Sequence, residues 1–231
     1  LLVQALKTDN SILDIPSLTF KNKRNPDAPR ITNLDELPMP DYGEYRKYYS
    51  EYLSDKPKYD IQSYVPIDSG RGCPASCKFC YSPFMWRRQC RLKSAERLFD
   101  EVKYLYNEFG INSVFFTEDN FTLFKNRVQT FCALLIESKL PISWNCYSRI
   151  DPLDKETVHI MKEAGCRQIY YGVESGSQKI LDLLGKHYTA AEAQELISYT
   201  VNCGIEVTAS YIVGFTEETD EDMALTLNAY A

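Results

Sequence analysis

The sequence of 231 residues is long enough for one domain with a sizeable core, since domains typically run to roughly 100–200 residues. Hydrophobic residues make up 44% and charged residues 25% of the chain, which argues against wholesale disorder. The 32 acidic residues outnumber the 26 lysines and arginines, and the resulting net charge of −6 disfavours nucleic acid as the main partner, because such binding depends on neutralising phosphates.

Targeting and membrane signals are absent from the sequence pattern. No apolar run reaches the ~18 residues that a spanning helix needs, and the N-terminal stretch lacks the basic and then apolar pattern of a signal peptide. We therefore expect a cytoplasmic protein without a membrane span.

Five cysteines scattered among apolar positions indicate buried thiols rather than a disulfide framework. They are Cys90, Cys132, Cys146, Cys166 and Cys203.

Residues 1–60 are unlike the rest of the chain. Prolines punctuate polar stretches there and no long periodic segment occurs, which predicts an irregular connector rather than a core. Tyrosines recur from Tyr45 to Tyr52, and we interpret them as a docking surface rather than a catalytic feature. The pattern becomes regular from residue 61. We therefore predict a linker or the end of a preceding domain over 1–60, and a core domain over 61–231 that continues past the last residue.

Strands and helices alternate through the predicted core. An apolar run at Ile61–Ile67 predicts a strand that leads into a cysteine-rich loop, and helical periodicity follows over 95–109, with Ser94 as cap and Gly110 as stop. Further strands are predicted at Ser113–Thr117, Ile142–Cys146, Gln168–Val173 and Ile205–Val213. Further helices are predicted at 123–139, 153–164 (opened by Asp151-Pro152), 177–184, 190–203 (opened by the capping box Thr189/Glu192) and from 219 onward.

Strands that recur every ~25–40 residues with helices between them predict an α/β fold with a parallel sheet. Both an open sheet and a partly closed barrel agree with this pattern. In either case, the loops that follow the carboxyl ends of the strands build the active site, and the cysteine-rich loop is one of them.

Three cysteines in that loop, Cys73, Cys77 and Cys80, follow a Cys-x3-Cys-x2-Cys spacing. Thiolates at this spacing can surround one soft metal centre such as an iron–sulfur cluster, and a four-iron cluster held by three cysteines keeps one iron open. The alternative is structural zinc, with Cys90 or His159 as fourth ligand. Zinc commonly takes paired Cys-x2-Cys knuckles, and the sequence has no second knuckle.

Polar residues also follow the other predicted strands, in a set suited to a small zwitterionic ligand. These stretches are Glu118–Asn120, Ser148–Arg149, Gly172–Ser177 and Gly214–Thr219. With the cysteine motif they make residues 70–225 resemble the radical S-adenosylmethionine superfamily, in particular the class that carries an N-terminal cobalamin-binding domain. The matching pieces are Arg71–Cys80, Phe116–Thr122, Trp144–Asp151 and Ala164–Ser177, and Leu34–Tyr42 resembles the linker of that class.

The resemblance implies a partial (β/α)6 barrel in which Cys73, Cys77 and Cys80 ligate a 4Fe-4S cluster. S-adenosylmethionine would chelate the open iron, and its reductive cleavage would give a 5′-deoxyadenosyl radical. It further implies a flavodoxin- or ferredoxin-type reductant, a small-molecule or peptide substrate, and cobalamin as a cofactor of a domain outside this stretch. No residue that acts on the substrate is assigned.

The same resemblance suggests cofactor-binding roles. Phe79 would pack near the adenine, and Glu118 and Asp119 occupy the place where the superfamily contacts the methionine amino group. Glu174 would accept hydrogen bonds from the ribose hydroxyls, since a carboxylate can accept two bonds from a diol. The further candidates are Ser175, Ile212 and Gly214. The superfamily usually has Gly-x-Pro-Gly-Glu-Thr at the last loop, and here Thr216-Glu217 replaces Pro-Gly.

Arg149 has two interpretations. It could pair with the methionine carboxylate in a charge-assisted contact, or it could form a structural ion pair with Asp151 or Asp154.

For the whole protein, the sequence favours a radical enzyme, either a cobalamin-dependent methyltransferase or a catalyst of rearrangement or ring formation. The alternatives are a radical methylthiotransferase acting on tRNA or protein, which the acidic charge disfavours, and a non-catalytic iron–sulfur module.

Overall fold

The computed structural model describes residues 15–20, 22–43 and 64–230, and it divides the chain into two compact units, 1–32 and 33–231. In the first unit, the short strands β1 (Thr19–Phe20) and β2 (Lys23–Arg24) pair antiparallel. The predicted tyrosine-rich run and the predicted strand residues 61–63 lie outside the described residues. None of the helices described is long and apolar enough to cross a membrane.

The second unit alternates strands and helices as predicted. Its strands are β3 (Val65–Ile67), β4 (Gly70–Arg71), β5 (Arg91–Leu92), β6 (Ser113–Phe116), β7 (Ser143–Ser148), β8 (Cys166–Glu174) and β9 (Glu206–Tyr211). Its α-helices are α1 (Ser82–Trp86), α2 (Ala95–Phe109), α3 (Lys125–Ser138), α4 (Lys155–Glu163), α5 (Gln178–Leu184), α6 (Ala190–Asn202) and α7 (Asp220–Tyr230). Short 3-10 helices cover Leu34–Glu36 and Phe121–Leu123.

Five strands form one parallel sheet in the order β3-β6-β7-β8-β9. Each neighbour follows in chain order, and helices fill the crossovers, so the carboxyl ends of all five strands meet at one edge. The predicted α/β fold with parallel strands is confirmed, and within the described residues the sheet is not closed. The pair β4 and β5 forms a separate antiparallel ribbon that flanks the cysteine loop.

Local signals set most helix ends. The Ser94 side chain accepts a hydrogen bond from the Arg97 amide at the start of α2, and Gly110 ends that helix in the left-handed conformation. The capping box Thr189/Glu192 opens α6 as predicted. The predicted start of α4 at Asp151-Pro152 is wrong, because the Asp154 side chain caps the helix by accepting from the Thr157 amide.

The core lies between one face of the sheet and the helices. Phe116 stacks on Phe121 at a centroid distance of 4.6 Å and meets Phe131 of α3 edge-on at 5.2 Å. Trp144 is fully buried against them, and its indole nitrogen donates to the carbonyl oxygen of Ala164 at 2.9 Å. Because strand side chains alternate between faces, the residues between these point to the opposite face, which carries the site described below.

Residues 33–43 belong to the second compact unit. Leu34 is fully buried, and the Tyr42 hydroxyl donates to Glu101 of α2 at 2.7 Å. The amide of Ser94 donates to Asp35 at 2.9 Å. The stretch that resembles an interdomain linker therefore packs on α2. The predicted domain boundary at 60/61 lies in the part of the chain between the described residues 43 and 64, and it stays a prediction.

A buried ion pair, Lys93–Glu101, joins the chain before α2 to that helix, with 2.6 Å between Nζ and Oε2. We expect Lys93→Met to lower the free energy of unfolding by about 3–5 kcal/mol, because Glu101 would keep a buried charge without its cation. Urea denaturation measures the loss. Lys155→Met removes an exposed pair with Glu195 and serves as control. Equal effects of the two changes would contradict this account.

Candidate active site around the cysteine loop

The cysteine loop turns sharply where β4 ends. Gly72 has φ +91°, and an added Cβ would lie 2.2 Å from the carbonyl oxygen of Gln89 and 2.9 Å from Cβ of Trp86. Only glycine fits this backbone against the returning chain. The loop is thus fixed between β4 and the segment that enters β5, at the edge where the parallel strands end.

All three cysteines of the motif line one open cavity of about 350 Å³ at this edge. Cys73 and Cys77 are buried, each 8% exposed, whereas Cys80 is exposed. Burial raises the pKa of the Cys73 thiol, and the charge of Arg149 opposes that rise. The Sγ of Cys80 accepts a hydrogen bond from the Ser82 amide at the start of α1, at 3.4 Å.

Arg149 lies beside Cys77 in the cavity. Its Nη1 donates to the Sγ of Cys77 at 2.7 Å, while Nε and Nη2 donate to the two carboxylate oxygens of Asp151 at 2.8 and 3.0 Å. The structural ion pair with Asp151 that the sequence suggested is therefore present. The same guanidinium also places a positive charge beside the sulfur of Cys77.

The two predicted acidic neighbours after β6 point to different places. Asp119 lines the cavity, and its Oδ2 accepts from the Ser82 hydroxyl at 2.5 Å. Glu118 is buried and holds Arg127 through two bonds of 2.9 and 3.1 Å, and it does not line the cavity. Burial raises the pKa of Glu118, against the lowering effect of Arg127. Its predicted contact with a ligand stays a prediction.

Glu174 reaches the cavity from the end of β8, where the register with β9 shifts and the residue adopts φ +74°. Its Oε1 accepts from Nζ of Lys186 at 2.9 Å, and the same ammonium donates to the carbonyl oxygen of Gly172 at 3.0 Å. Nζ also lies 5.6 Å from the ring centroid of Phe79. Lys186 lines the cavity, and sequence reasoning missed it.

Phe79 itself lines the cavity with 41% of its surface exposed. Three other candidates do not line it. The Ser175 hydroxyl is buried 3.0 Å from that of Thr226, the amide of Ile212 bonds to the carbonyl oxygen of Glu174, and the amide of Gly214 bonds to Glu218. Their predicted roles stay predictions.

The alternative zinc site would take Cys90 or His159 as its fourth ligand. Neither Cys90 nor His159 lines the cavity, and burial raises the pKa of Cys90 to about 11. His159 is exposed on α4 with its Nε2 3.5 Å from Glu163. Within the described residues, no three His, Cys, Asp or Glu side chains are grouped for a single metal ion. The thiolates of a four-iron cluster bind different irons, so they need not meet at one point.

Comparison with known proteins identifies the family. The chain matches the Radical SAM superfamily over residues 67–229, more than half of its length. It belongs to the radical SAM superfamily. This confirms the family that the cysteine motif and strand-end residues predict. Radical SAM proteins use a 4Fe-4S cluster and S-adenosylmethionine.

Relatives agree with this assignment. An uncharacterised methyltransferase of Pyrococcus horikoshii is 32% identical over 230 residues, which cover 98% of this chain and 49% of the relative. The anaerobic magnesium-protoporphyrin IX monomethyl ester cyclase of Cereibacter sphaeroides is 30% identical over 202 residues, covering 85% and 32%. The cobalamin-dependent S-adenosylmethionine radical enzyme OxsB has the same fold, with a TM-score of 0.79 at 18% identity over 99% of this chain and 34% of that one. The chain thus spans about half or less of each.

The residues of this radical SAM chain fit the cofactors of its family. Three thiols line one cavity, and a guanidinium donates to one of them, which is the environment that thiolate ligands of a cluster need. Asp119, Glu174 and Arg149 bring both charge signs to the same cavity, as a zwitterionic ligand requires. The volume also lies within the ~300–1,000 Å³ usual for small-molecule sites.

Proposed function

We propose that this chain is the radical-generating part of an enzyme that cleaves S-adenosylmethionine reductively. The observation that carries the proposal is the meeting of Cys73, Cys77 and Cys80 with Arg149 and Glu174 in one cavity. When bound, the cluster supplies the single electron that cleavage to methionine and a 5′-deoxyadenosyl radical requires.

Each polar side chain of the cavity has bonding capacity left for the ligand. Oε1 of Glu174 is engaged by Lys186, and Oε2 can accept from a ribose hydroxyl. Arg149 uses three N–H groups on Asp151 and Cys77, and its other donors can bind a carboxylate. Asp119 can accept from an ammonium group at the rim. These residues would orient the ligand and hold water away from its sulfonium centre.

The overall reaction that we propose is methyl transfer with cobalamin as a second cofactor. It is supported by the similarity to a relative described as a methyltransferase and by the fold shared with a cobalamin-dependent radical enzyme. Ring formation is a second candidate, favoured by the similarity to a cyclase.

A flavodoxin- or ferredoxin-type protein is the proposed electron donor. The exposed side chains of Tyr81, Phe84 and Met85 follow Cys80 directly and would let such a partner dock close to the cluster. The described cysteines are all free thiols, which suits the reducing cytoplasm as the place of action.

Anaerobic reconstitution tests the proposal. We expect about four irons and four sulfides per chain. Reduction by dithionite in the presence of S-adenosylmethionine should then yield 5′-deoxyadenosine, detected by chromatography. A full cluster without any 5′-deoxyadenosine would overturn the proposal and leave a non-catalytic iron–sulfur module. Zinc in place of iron would overturn the metal assignment.

The contact between Arg149 and Cys77 predicts a tuned cluster potential. A positive donor on a cluster sulfur stabilises the more negative, reduced cluster, so Arg149→Gln should shift the midpoint potential to a more negative value. A redox titration followed by electron paramagnetic resonance measures the shift. Arg167→Gln alters an exposed arginine 3.5 Å from Glu206 and should leave the potential unchanged. An unshifted potential in Arg149→Gln with full iron content would contradict the prediction.

A further inference from the structure

Two tyrosines of the parallel sheet line the cavity, and we call the surface that they form the tyrosine floor. Tyr147 of β7 and Tyr170 of β8 are paired in register and therefore point to the same face of the sheet. Both line the cavity, together with Ser210 of β9, and Tyr147 is 42% exposed. One continuous cavity therefore runs from the cysteine loop to an aromatic surface on the sheet.

The two rings are held by a third aromatic residue. Phe115 of β6 is only 6% exposed and lies edge-on to both tyrosines, at centroid distances of 4.9 Å to Tyr147 and 5.5 Å to Tyr170. The tyrosine rings lie 5.4 Å apart at an interplanar angle of 54°. This support fixes the ring positions, so the aromatic surface is formed before any ligand arrives.

Some polar groups of the tyrosine floor already form hydrogen bonds within the protein, and others are available to a ligand. The Tyr170 hydroxyl donates to Gln168 at 3.0 Å, and the Gln168 amide donates to Thr208 at 2.9 Å. Burial raises the pKa of Tyr170, which keeps its phenol protonated. The hydroxyls of Tyr147 and Ser210 have no hydrogen-bond partner among the described residues. They can each accept or donate one bond to a ligand.

The cations that line the cavity are engaged by partners within the protein. These cations are Arg149 and Lys186, and both are already paired, with Asp151 and Glu174. Among the described residues, no other lysine or arginine lines this cavity. With S-adenosylmethionine bound to Arg149, an anionic group on the tyrosines would lose its hydration without gaining an unpaired cation, so the cavity favours an uncharged ring over an anionic one.

We propose that the tyrosine floor, formed by Tyr147 and Tyr170 over Phe115, binds the substrate through an uncharged planar aromatic ring. The ring stacks on the tyrosines, and the hydroxyls of Tyr147 and Ser210 bond to a heteroatom at its edge. This inference rests on the proposed function, because the ring is held in the same cavity as the radical source. It names a substrate class that the family assignment alone leaves open.

Fragment probes test the proposal on the reconstituted chain with S-adenosylmethionine bound. Indole represents the uncharged aromatic ring, cyclohexanol has a ring without aromaticity, and indole-3-acetate adds a negative charge. Ligand-observed NMR measures the dissociation constant of each probe. Tyr147→Leu and Tyr170→Leu remove the rings, Tyr147→Phe and Tyr170→Phe keep them, and Tyr104→Leu alters a ring pair on α2 outside the cavity.

We expect indole to bind about tenfold more tightly than either other probe. The leucine variants should lose most of this affinity, Tyr170→Phe and Tyr104→Leu should retain it, and Tyr147→Phe should lose only the share of one hydrogen bond. Equal binding of cyclohexanol, tighter binding of indole-3-acetate, no binding of indole, or loss in the phenylalanine variants equal to that in the leucine variants would overturn the proposal. The amount of 5′-deoxyadenosine formed by the same samples tests the proposed function separately from ring binding at the tyrosine floor. Cleavage without indole binding rejects only the tyrosine floor, and binding without cleavage rejects only the proposed function.

Discussion

Cys77→Ala is expected to abolish both the iron–sulfur cluster and the cleavage of S-adenosylmethionine. Cys77 is buried in the cavity and accepts a hydrogen bond from the Arg149 guanidinium at 2.7 Å, so its loss removes one of the three proposed ligands and the sulfur partner of that cation. Two cysteines cannot hold a four-iron cluster that has only three protein ligands. Iron and sulfide contents should fall to background, and 5′-deoxyadenosine should disappear with them.

Cys90→Ala is the matched control. Cys90 is a partly buried thiol of the same unit that does not line the cavity, and its alanine variant should keep the full iron content and the cleavage activity. A four-cysteine zinc site that uses Cys90 predicts the opposite, since every ligand of a tetrahedral site is needed. Loss of metal in Cys90→Ala, or a complete cluster in Cys77→Ala, would show that the ligand set is wrong.

Features with local causes could be predicted from the sequence. The helix over 95–109 has a cap, an apolar stripe and a terminal glycine within one short stretch, and the structure begins and ends it at those residues. The parallel direction of the strands follows in the same way from the regular alternation of elements, whereas their order does not, because doubly wound sheets share that alternation. The cysteine loop could be placed at the carboxyl edge because it follows directly after a strand.

Contacts between distant parts of the chain could not be predicted. Lys186 follows α5, which ends at Gly185 with φ +74°, and the turn returns the lysine to Glu174 at the end of β8. No sequence motif marks Lys186, and a single lysine in a polar stretch is normally predicted to be exposed. Lys93 is likewise buried only because Glu101 of α2 faces it.

The different roles of two neighbouring residues at the end of a strand could not be predicted either. Glu118 and Asp119 are both carboxylates and both follow β6, so the sequence offered no reason to separate them. The backbone bends at Glu118 and turns at Asp119, and the two side chains leave it in different directions. Arg127 of α3 takes Glu118 into a buried pair, and Asp119 is left facing the cavity with Ser82.

Lys186→Met is expected to impair the binding of S-adenosylmethionine while the cluster still forms. Lys186 and Glu174 are buried side by side, with side-chain exposures of 2% and 9%, and the ammonium also lies over Phe79. Without its cation, Glu174 keeps a buried charge in a backbone conformation of φ +74°, which costs about 3–5 kcal/mol of stability. The carboxylate, no longer held by the ammonium group, is then free to turn away from the ribose position.

The double variant Lys186→Met/Glu174→Gln distinguishes the role of Lys186 in positioning residue 174 from its contribution to the stability of the fold. Removal of both charges should restore much of the free energy of unfolding, because no unpaired charge stays buried. It should not restore S-adenosylmethionine affinity, because no ammonium group holds the side chain in place and an amide oxygen is a weaker acceptor than a carboxylate. Equilibrium binding on reconstituted protein with matched iron content measures the affinity. Lys125→Met breaks exposed ion pairs with Asp154 and Glu156 and should leave both quantities unchanged. Wild-type affinity in Lys186→Met would show that the lysine stabilises the fold without positioning Glu174 for the ligand.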